Sequence, residues 1–158
     1  MRRRRAIGAL APWILAGSLL GPSTPRADPV EEAPEGTSAD SEYARGKKAV
    51  EAKDWTTAIL LLSRAEVQDD RNADLENLLG YAHRNAGRFD EAFKHYRQSL
   101  RLNPRHRGAH EYIGEAYLLI NDVAKAEEHL ATLARICVVP CEEHEDLRRK
   151  IEDYKQSH

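Results

Sequence analysis

The sequence predicts an all-α protein: an α-solenoid of three helical hairpins closed by a C-terminal capping helix. Gly46, Gly80 and Gly114 stand 34 residues apart. Each is followed twelve positions later by an alanine, Ala58, Ala92 and Ala126. Small residues held at two fixed marks over three units imply paired helices that cross closely, repeated in tandem. A second series keeps the same period: polar breaks at Lys53-Asp54, Gly87-Arg88 and Asn121-Asp122, each followed by a bulky residue, Trp55, Phe89 or Val123. No such hairpin buries its apolar stripe alone, so stability must come from stacking the next one against it. Arrays of this kind build binding surfaces more often than active sites.

From the start of the chain, residues 1–27 carry five arginines, no acid, and an apolar stretch over 6–20 that ends in Gly21-Pro22-Ser23-Thr24-Pro25. A basic start, a short apolar core and a small-residue exit are the order of a secretory signal peptide, with Ala27 as the cleavage residue. The core is shorter than the roughly 20 residues needed to cross a bilayer and is interrupted by Pro12. Cleavage is therefore expected, with no stable membrane insertion afterwards; left uncleaved, the same segment would be an anchor. Residues 28–38 are acidic, hold two prolines and show no apolar period, which reads as a flexible linker. Loss of the five leader arginines takes the 24 basic residues to 19 against 26 acidic, a net of −7. That balance argues against nucleic acid, whose phosphates need a concentrated positive surface.

The repeats then run over 39–72, 73–106 and 107–140, with 141–158 left for the capping helix and tail. In the second, Leu75, Leu78, Leu79 and Ala82 form one helical stripe and Phe89, Ala92, Phe93, Tyr96 and Leu100 the other. Asn103-Pro104 stops the second helix, because proline cannot continue the hydrogen-bond ladder. Helix starts are expected near Ser41, Asp54, Asn72, Arg88, His106 and Asp122, most of which offer a capping side chain. After the third repeat, Leu147, Ile151 and Tyr154 share one face of an amphipathic helix that can cover the open end.

These residues resemble the tetratricopeptide repeat, whose pattern carries Leu-Gly and Tyr in the first helix and Ala, an aromatic and Pro in and after the second. Repeat two supplies Leu79-Gly80, Ala92, Tyr96 and Pro104; repeat three supplies Ile113-Gly114, Tyr117, Ala126 and Leu130, with Val138 at the proline position. Repeat one keeps Gly46, Ala58, Leu62 and Ala65 but has Arg45 for the leucine and Asp70 for the proline. His83 replaces the usual tyrosine and reads as a hydrogen-bonded packing residue. The resemblance implies a concave groove lined by the first helix of each hairpin, with exposed positions Tyr43, Lys47 and Val50, then Asn77, Tyr81 and Arg84, then Glu111, Glu115 and Leu118. Such a groove is aromatic and basic at its front and acidic at its back, and suits an extended or helical peptide anchored by Tyr43 and Tyr81. Family members that grip a chaperone's C-terminal carboxylate use Lys and Asn residues; of the matching positions here, Tyr43, Lys47, Leu78, Gly108 and Tyr112, only Lys47 fits.

Cys137 and Cys141 are the only cysteines and flank Val138-Val139-Pro140. In an oxidising compartment they are expected to form a disulfide, with Pro140 turning the chain. A redox-active pair or a metal site with His144 are the alternatives. Redox motifs usually have two intervening residues, and one His with two Cys leaves tetrahedral zinc a ligand short. His106 and His110, four apart, could share a cation, but no acidic or cysteine partner stands at a recognisable spacing, so no metal and no cofactor are expected. There is no glycine-rich phosphate loop and no serine in a nucleophile turn, so an enzyme is not expected. The reading is an exported, periplasmic adaptor that binds another envelope protein or a peptide segment of one, with oligomeric state left open. The alternative is a small redox or metal-handling protein working through Cys137 and Cys141.

Overall fold

The computed structural model describes residues 39–139 and 141–158. The expected leader over 1–27, the linker over 28–38 and the turn at Pro140 lie outside the described residues. Seven helices follow one another among those described: α1 (Ala39–Glu51), α2 (Trp55–Gln68), α3 (Ala73–Asn85), α4 (Phe89–Leu102), α5 (Arg107–Leu119), α6 (Val123–Ile136) and α7 (Glu142–Ser157). Among them no helix is long and apolar enough to cross a membrane.

The 34-residue period fixes the helix ends one by one. The backbone turns left-handed at Lys53, Gly87 and Asn121, with φ of 57°, 74° and 63°. At each of these turns the next amide reaches back five residues, Asp54 to Ala49, Arg88 to His83 and Asp122 to Tyr117, all at 2.9 Å. These are Schellman stops, which satisfy carbonyls that a helix end leaves open. The following helices are capped by side chains, Asp54 accepting from the Thr57 amide and Asp122 from the Lys125 amide, both at 3.1 Å. Arg88, the corresponding residue in repeat two, makes no side-chain cap. Asn72 and His106 cap α3 and α5 in the same way, at 3.0 and 3.1 Å. The starts expected from sequence coincide with these caps except the first, because α1 already begins at Ala39.

Packing follows the small-residue marks. A side-chain carbon added at Gly46 would stand 2.6 Å from Leu62, and one at Gly80 would stand 2.5 Å from the Tyr96 ring. Here the two helices of a hairpin touch. Repeat three departs from the expectation that Gly114 and Ala126 play the same part: a carbon added at Gly114 would meet Leu147 of α7, at 2.7 Å. Leu130 of α6, in register with Leu62 and Tyr96, is only part-buried, and the capping helix supplies the side chain that fills the space. Helix α7 packs on α5 and α6, as α5 packs on α3 and α4, so it occupies the position of a fourth first helix. The core runs continuously between hairpins: Leu62 and Ala65 with Leu75 and Leu79, then Phe93 and Tyr96 with Ile113 and Ala116, then Leu118, Ala126 and Leu133 with Leu147 and Ile151.

Candidate functional site

Helices α1, α3 and α5 place the expected groove residues on successive faces four and three residues apart. Tyr81 of α3 and Tyr112 of α5 form an aromatic ladder with Trp55, the first residue of α2. Trp55 meets the Tyr81 ring edge-on at 5.9 Å, and Tyr81 meets Tyr112 at 4.9 Å. The Arg84 guanidinium lies 5.1 Å from the Tyr81 ring and 5.5 Å from the Tyr112 ring, a cation–π clamp over both. Arg84 also donates to Glu115 and, at 3.4 Å, to the Tyr112 carbonyl oxygen. Lys150, from α7, donates to the other Glu115 oxygen. The Arg84 and Glu115 side chains are each 9% exposed, so this is an ion pair held out of water and joined by a third charge at its edge.

At the front, Lys47 is exposed and stands 5.6 Å from the Tyr43 ring, while Tyr43 and Val50 pack half-buried on the core of the first two repeats. Burial, and Asp74 nearby, raise the Tyr43 phenol. At the back, the expectation of open positions needs correction. Asn77 is buried beside Gly108 at the start of α5, and Glu111, Glu115 and Leu118 are buried because α7 stands where a fourth repeat would begin and lays Lys150, Ile151 and its first turn against α5. Burial pushes the Glu111 carboxyl up to about 7, reinforced by Glu115, Asp146 and Glu143 and opposed by Lys150. Tyr112 is pushed up to about 12 by burial and the charge of Glu111.

Two cavities flank the ladder. One of about 620 Å³ opens where α3, α5 and α7 end, between Arg84, Leu118, Lys150 and Tyr154. The other, of about 260 Å³, lies toward the start of these helices between Asn77, Glu111, Tyr112, Glu142 and Asp146. Sequence reasoning left Trp55, Tyr112 and Lys150 out of the site. The signal for Tyr112 was present: it precedes Ile113-Gly114 as Leu78 precedes Leu79-Gly80, on the face that looks toward the preceding repeat.

The histidines divide between packing and hydrogen bonding. His106 accepts from the Ala109 amide through Nδ1 and donates to Asp74 through Nε2 at 2.9 Å. His110 donates through Nε2 to the Pro104 carbonyl at 3.2 Å, which leaves its Nδ1 to accept from His129 Nδ1 at 2.8 Å. The two are committed to different partners and do not share a cation. His129 is pushed down to about 4, first by burial and then by His110. His83 is buried and stacks on His95 at 5.3 Å, as expected of a packing residue. Its Nδ1 has no partner, however, so it is not hydrogen-bonded there as expected. His95 donates through Nδ1 to Glu76 at 2.8 Å and lies 3.8 Å from Glu66. These three could hold a divalent cation, though three donors are one short of tetrahedral zinc. Glu76–His95 and His110–His129 are the same pair of register positions 34 residues apart, a regularity visible in the sequence that single-residue reading passed over.

The Cys137 and Cys141 sulfurs are bonded to each other, with Cα atoms 5.9 Å apart. Cys137 ends α6 and Cys141 starts α7, so the bond ties the capping helix to the last repeat. Neither sulfur is then free to join His144 as a metal ligand.

Stacked helical hairpins with a ladder of aromatic side chains running from one repeat to the next define a helical-repeat scaffold. The tetratricopeptide repeat family matches residues 43–104 and 78–137, together well over half of the chain, and the protein belongs to that family. The fold is similar to the TPR2B domain of yeast Sti1 in its complex with pHsp70, at 16% identity with a TM-score of 0.70, covering 76% of this chain and 98% of that one. It is similar also to the first TPR of Spaghetti (RPAP3) bound to the HSP90 peptide SRMEEVD, at 17% identity with a TM-score of 0.65, covering 74% and 93%. In sequence the chain is 33% identical over 75 residues to Protein O-mannosyl-transferase Tmtc3 of Drosophila melanogaster, a match covering 48% of this chain and 8% of that protein. The chain spans less than a tenth of the length of the curated relatives it matches.

Proposed function

We propose that the protein is an exported adaptor that holds a segment of another envelope protein against the faces of α1, α3 and α5. The observation that carries this reading is the aromatic ladder: Trp55, Tyr81 and Tyr112 stand part-exposed on successive repeats, with Arg84 clamped between the last two. Rigid aromatic rings and a planar guanidinium give large contact area at small entropic cost, which is why such residues concentrate where binding energy is concentrated. The structurally similar domains of Sti1 and Spaghetti are found with a partner or a peptide, which supports the same use of this fold. Periplasmic location rests on the leader-like residues 1–27 and on the cysteine pair, which suits an oxidising compartment. A redox or metal-handling role at Cys137 and Cys141 is the weaker reading, since the sulfurs are joined and Cys141 is buried.

The test is crosslinking in cells followed by mass spectrometry, comparing the parent with Lys47→Glu/Tyr81→Ala. Both positions reach solvent, and melting curves of the two proteins establish that the variant folds. A partner captured by the parent and lost by the variant supports the adaptor reading. Equal capture by both contradicts the assignment to the groove.

A further inference from the structure

The cavity of about 260 Å³ beside Tyr112 is lined by Asn77, whose Oδ1 the fold leaves without a donor, and by the carboxyl groups of Glu111, Glu142, Glu143 and Asp146, the last two of which pair with Arg107 and Arg149. Asn77, 7% exposed, leaves its Oδ1 buried with no hydrogen-bond partner. Glu111, 8% exposed, sits in the middle of α5, and Lys150, the base that acts on it, gives its ammonium to Glu115. A buried acceptor without a donor destabilises the fold, so its presence calls for an explanation. Glu142, Glu143 and Asp146 close the cavity from α7. Glu142 and Glu143 alone would be explained by the positive end of that helix. That explanation does not reach Asn77 on α3 or Glu111 on α5, which face the same space.

We infer that this cavity receives a basic side chain, an arginine or lysine of the bound segment, with Asn77 and Glu111 at its floor and Glu142 and Asp146 at its rim. This inference rests on the groove reading and names the chemistry of the partner there. The cavity holds about eight or nine waters' worth of liquid volume, far more than a bare ion needs, and enough for a side-chain head with part of its stem. The carboxylate and amide oxygens that line it are hydrogen-bond acceptors, which suits the N–H groups of a basic side chain.

The experiment selects phage-displayed random dodecamers on the whole chain and measures the affinity of a selected peptide by fluorescence polarisation. Three arms accompany it: Glu142→Gln/Asp146→Asn, which alters rim positions that reach solvent; Tyr81→Ala on the ladder; and calcium chloride titrated alone into the parent by calorimetry. The expected result is that selected peptides share one Arg or Lys. Binding should weaken tenfold or more in the rim variant, and replacing that base by Gln should weaken parent binding to a similar extent but cost little further in the rim variant. Peptides that need Tyr81 but neither a base nor the rim acids overturn this inference and leave the groove reading standing. Failure to select any peptide overturns both. Calcium binding in the parent that the rim variant abolishes would make the cavity an ion site and overturn the inference.

Discussion

Gly80→Ala adds one carbon where the first and second helices of the middle repeat meet. That carbon would stand 2.5, 2.6 and 2.9 Å from three atoms of the Tyr96 ring, against about 3.5–4.0 Å for a relaxed carbon contact. The ring must retreat by about 1 Å. It is fully buried in a cluster with Ala92, Phe93, Ile113 and Ala116, so the displacement passes into repeat three. Overpacking of this kind costs roughly 1–3 kcal/mol, while alanine for glycine inside a helix returns about 1 kcal/mol. With three atoms in conflict the upper part of that range applies, for a net loss of about 2 kcal/mol. Urea denaturation followed by circular dichroism measures it, and Gly80→Leu should lose more. Gly87→Ala is the contrasting control: nothing lies within 4 Å of the added carbon, so its only cost is the left-handed backbone at φ 74°, about 1 kcal/mol. An unfolding midpoint for Gly80→Ala equal to or above that of the parent would refute the close crossing, and with it the reason given for the 34-residue spacing of glycines.

Tyr96→Phe should be neutral or stabilising by up to about 1 kcal/mol, since the phenol oxygen is buried without a partner; a loss above that in thermal unfolding would reveal an unrecognised bond. Lys53→Asn should raise stability by roughly 0.5 kcal/mol, because Lys53 holds the left-handed position that Asn121 occupies in repeat three. Reduction of Cys137–Cys141 should lower stability by about 2 kcal/mol and speed hydrogen exchange in α7 before the repeats. The pH dependence contains two opposed contributions. His129, down from 6.5 to about 4 in the fold, contributes stability that is present above pH 6.5 and lost as pH falls toward 4. Glu111, up from 4.5 to about 7, contributes stability that is present below pH 4.5 and lost as pH rises toward 7. In the window from 4.5 to 6.5 they oppose each other. His129→Gln should therefore make stability rise on acidification relative to the parent, and Glu111→Gln should make it fall; urea midpoints across that window decide.

The architecture was legible because its signals are local and periodic. Gly46, Gly80 and Gly114 mark the crossings, and the positive-φ residues Lys53, Gly87 and Asn121 fall in one register with the predicted breaks. The site was only partly legible. A register assigns Glu111, Glu115 and Leu118 to the groove face, but whether they are open depends on α7, whose docking is a long-range event. Lys150 reaches Glu115 across 35 residues of sequence, and no spacing rule announces it. The same distance explains Gly114: its partner is Leu147, beyond the repeat that a pattern search treats as complete. The unpaired Nδ1 of His83 was illegible for another reason, since a packing role and a hydrogen-bonded one look alike until the neighbours are known.

The most direct test of the central claim places a photo-reactive amino acid at position 47, on the exposed face of α1, and separately at position 94, exposed on α4, in cells exporting the protein. The adaptor reading predicts that one envelope protein is captured at 47 and not at 94. Capture at 94 alone, or at both positions equally, would contradict binding through the face of the first helices.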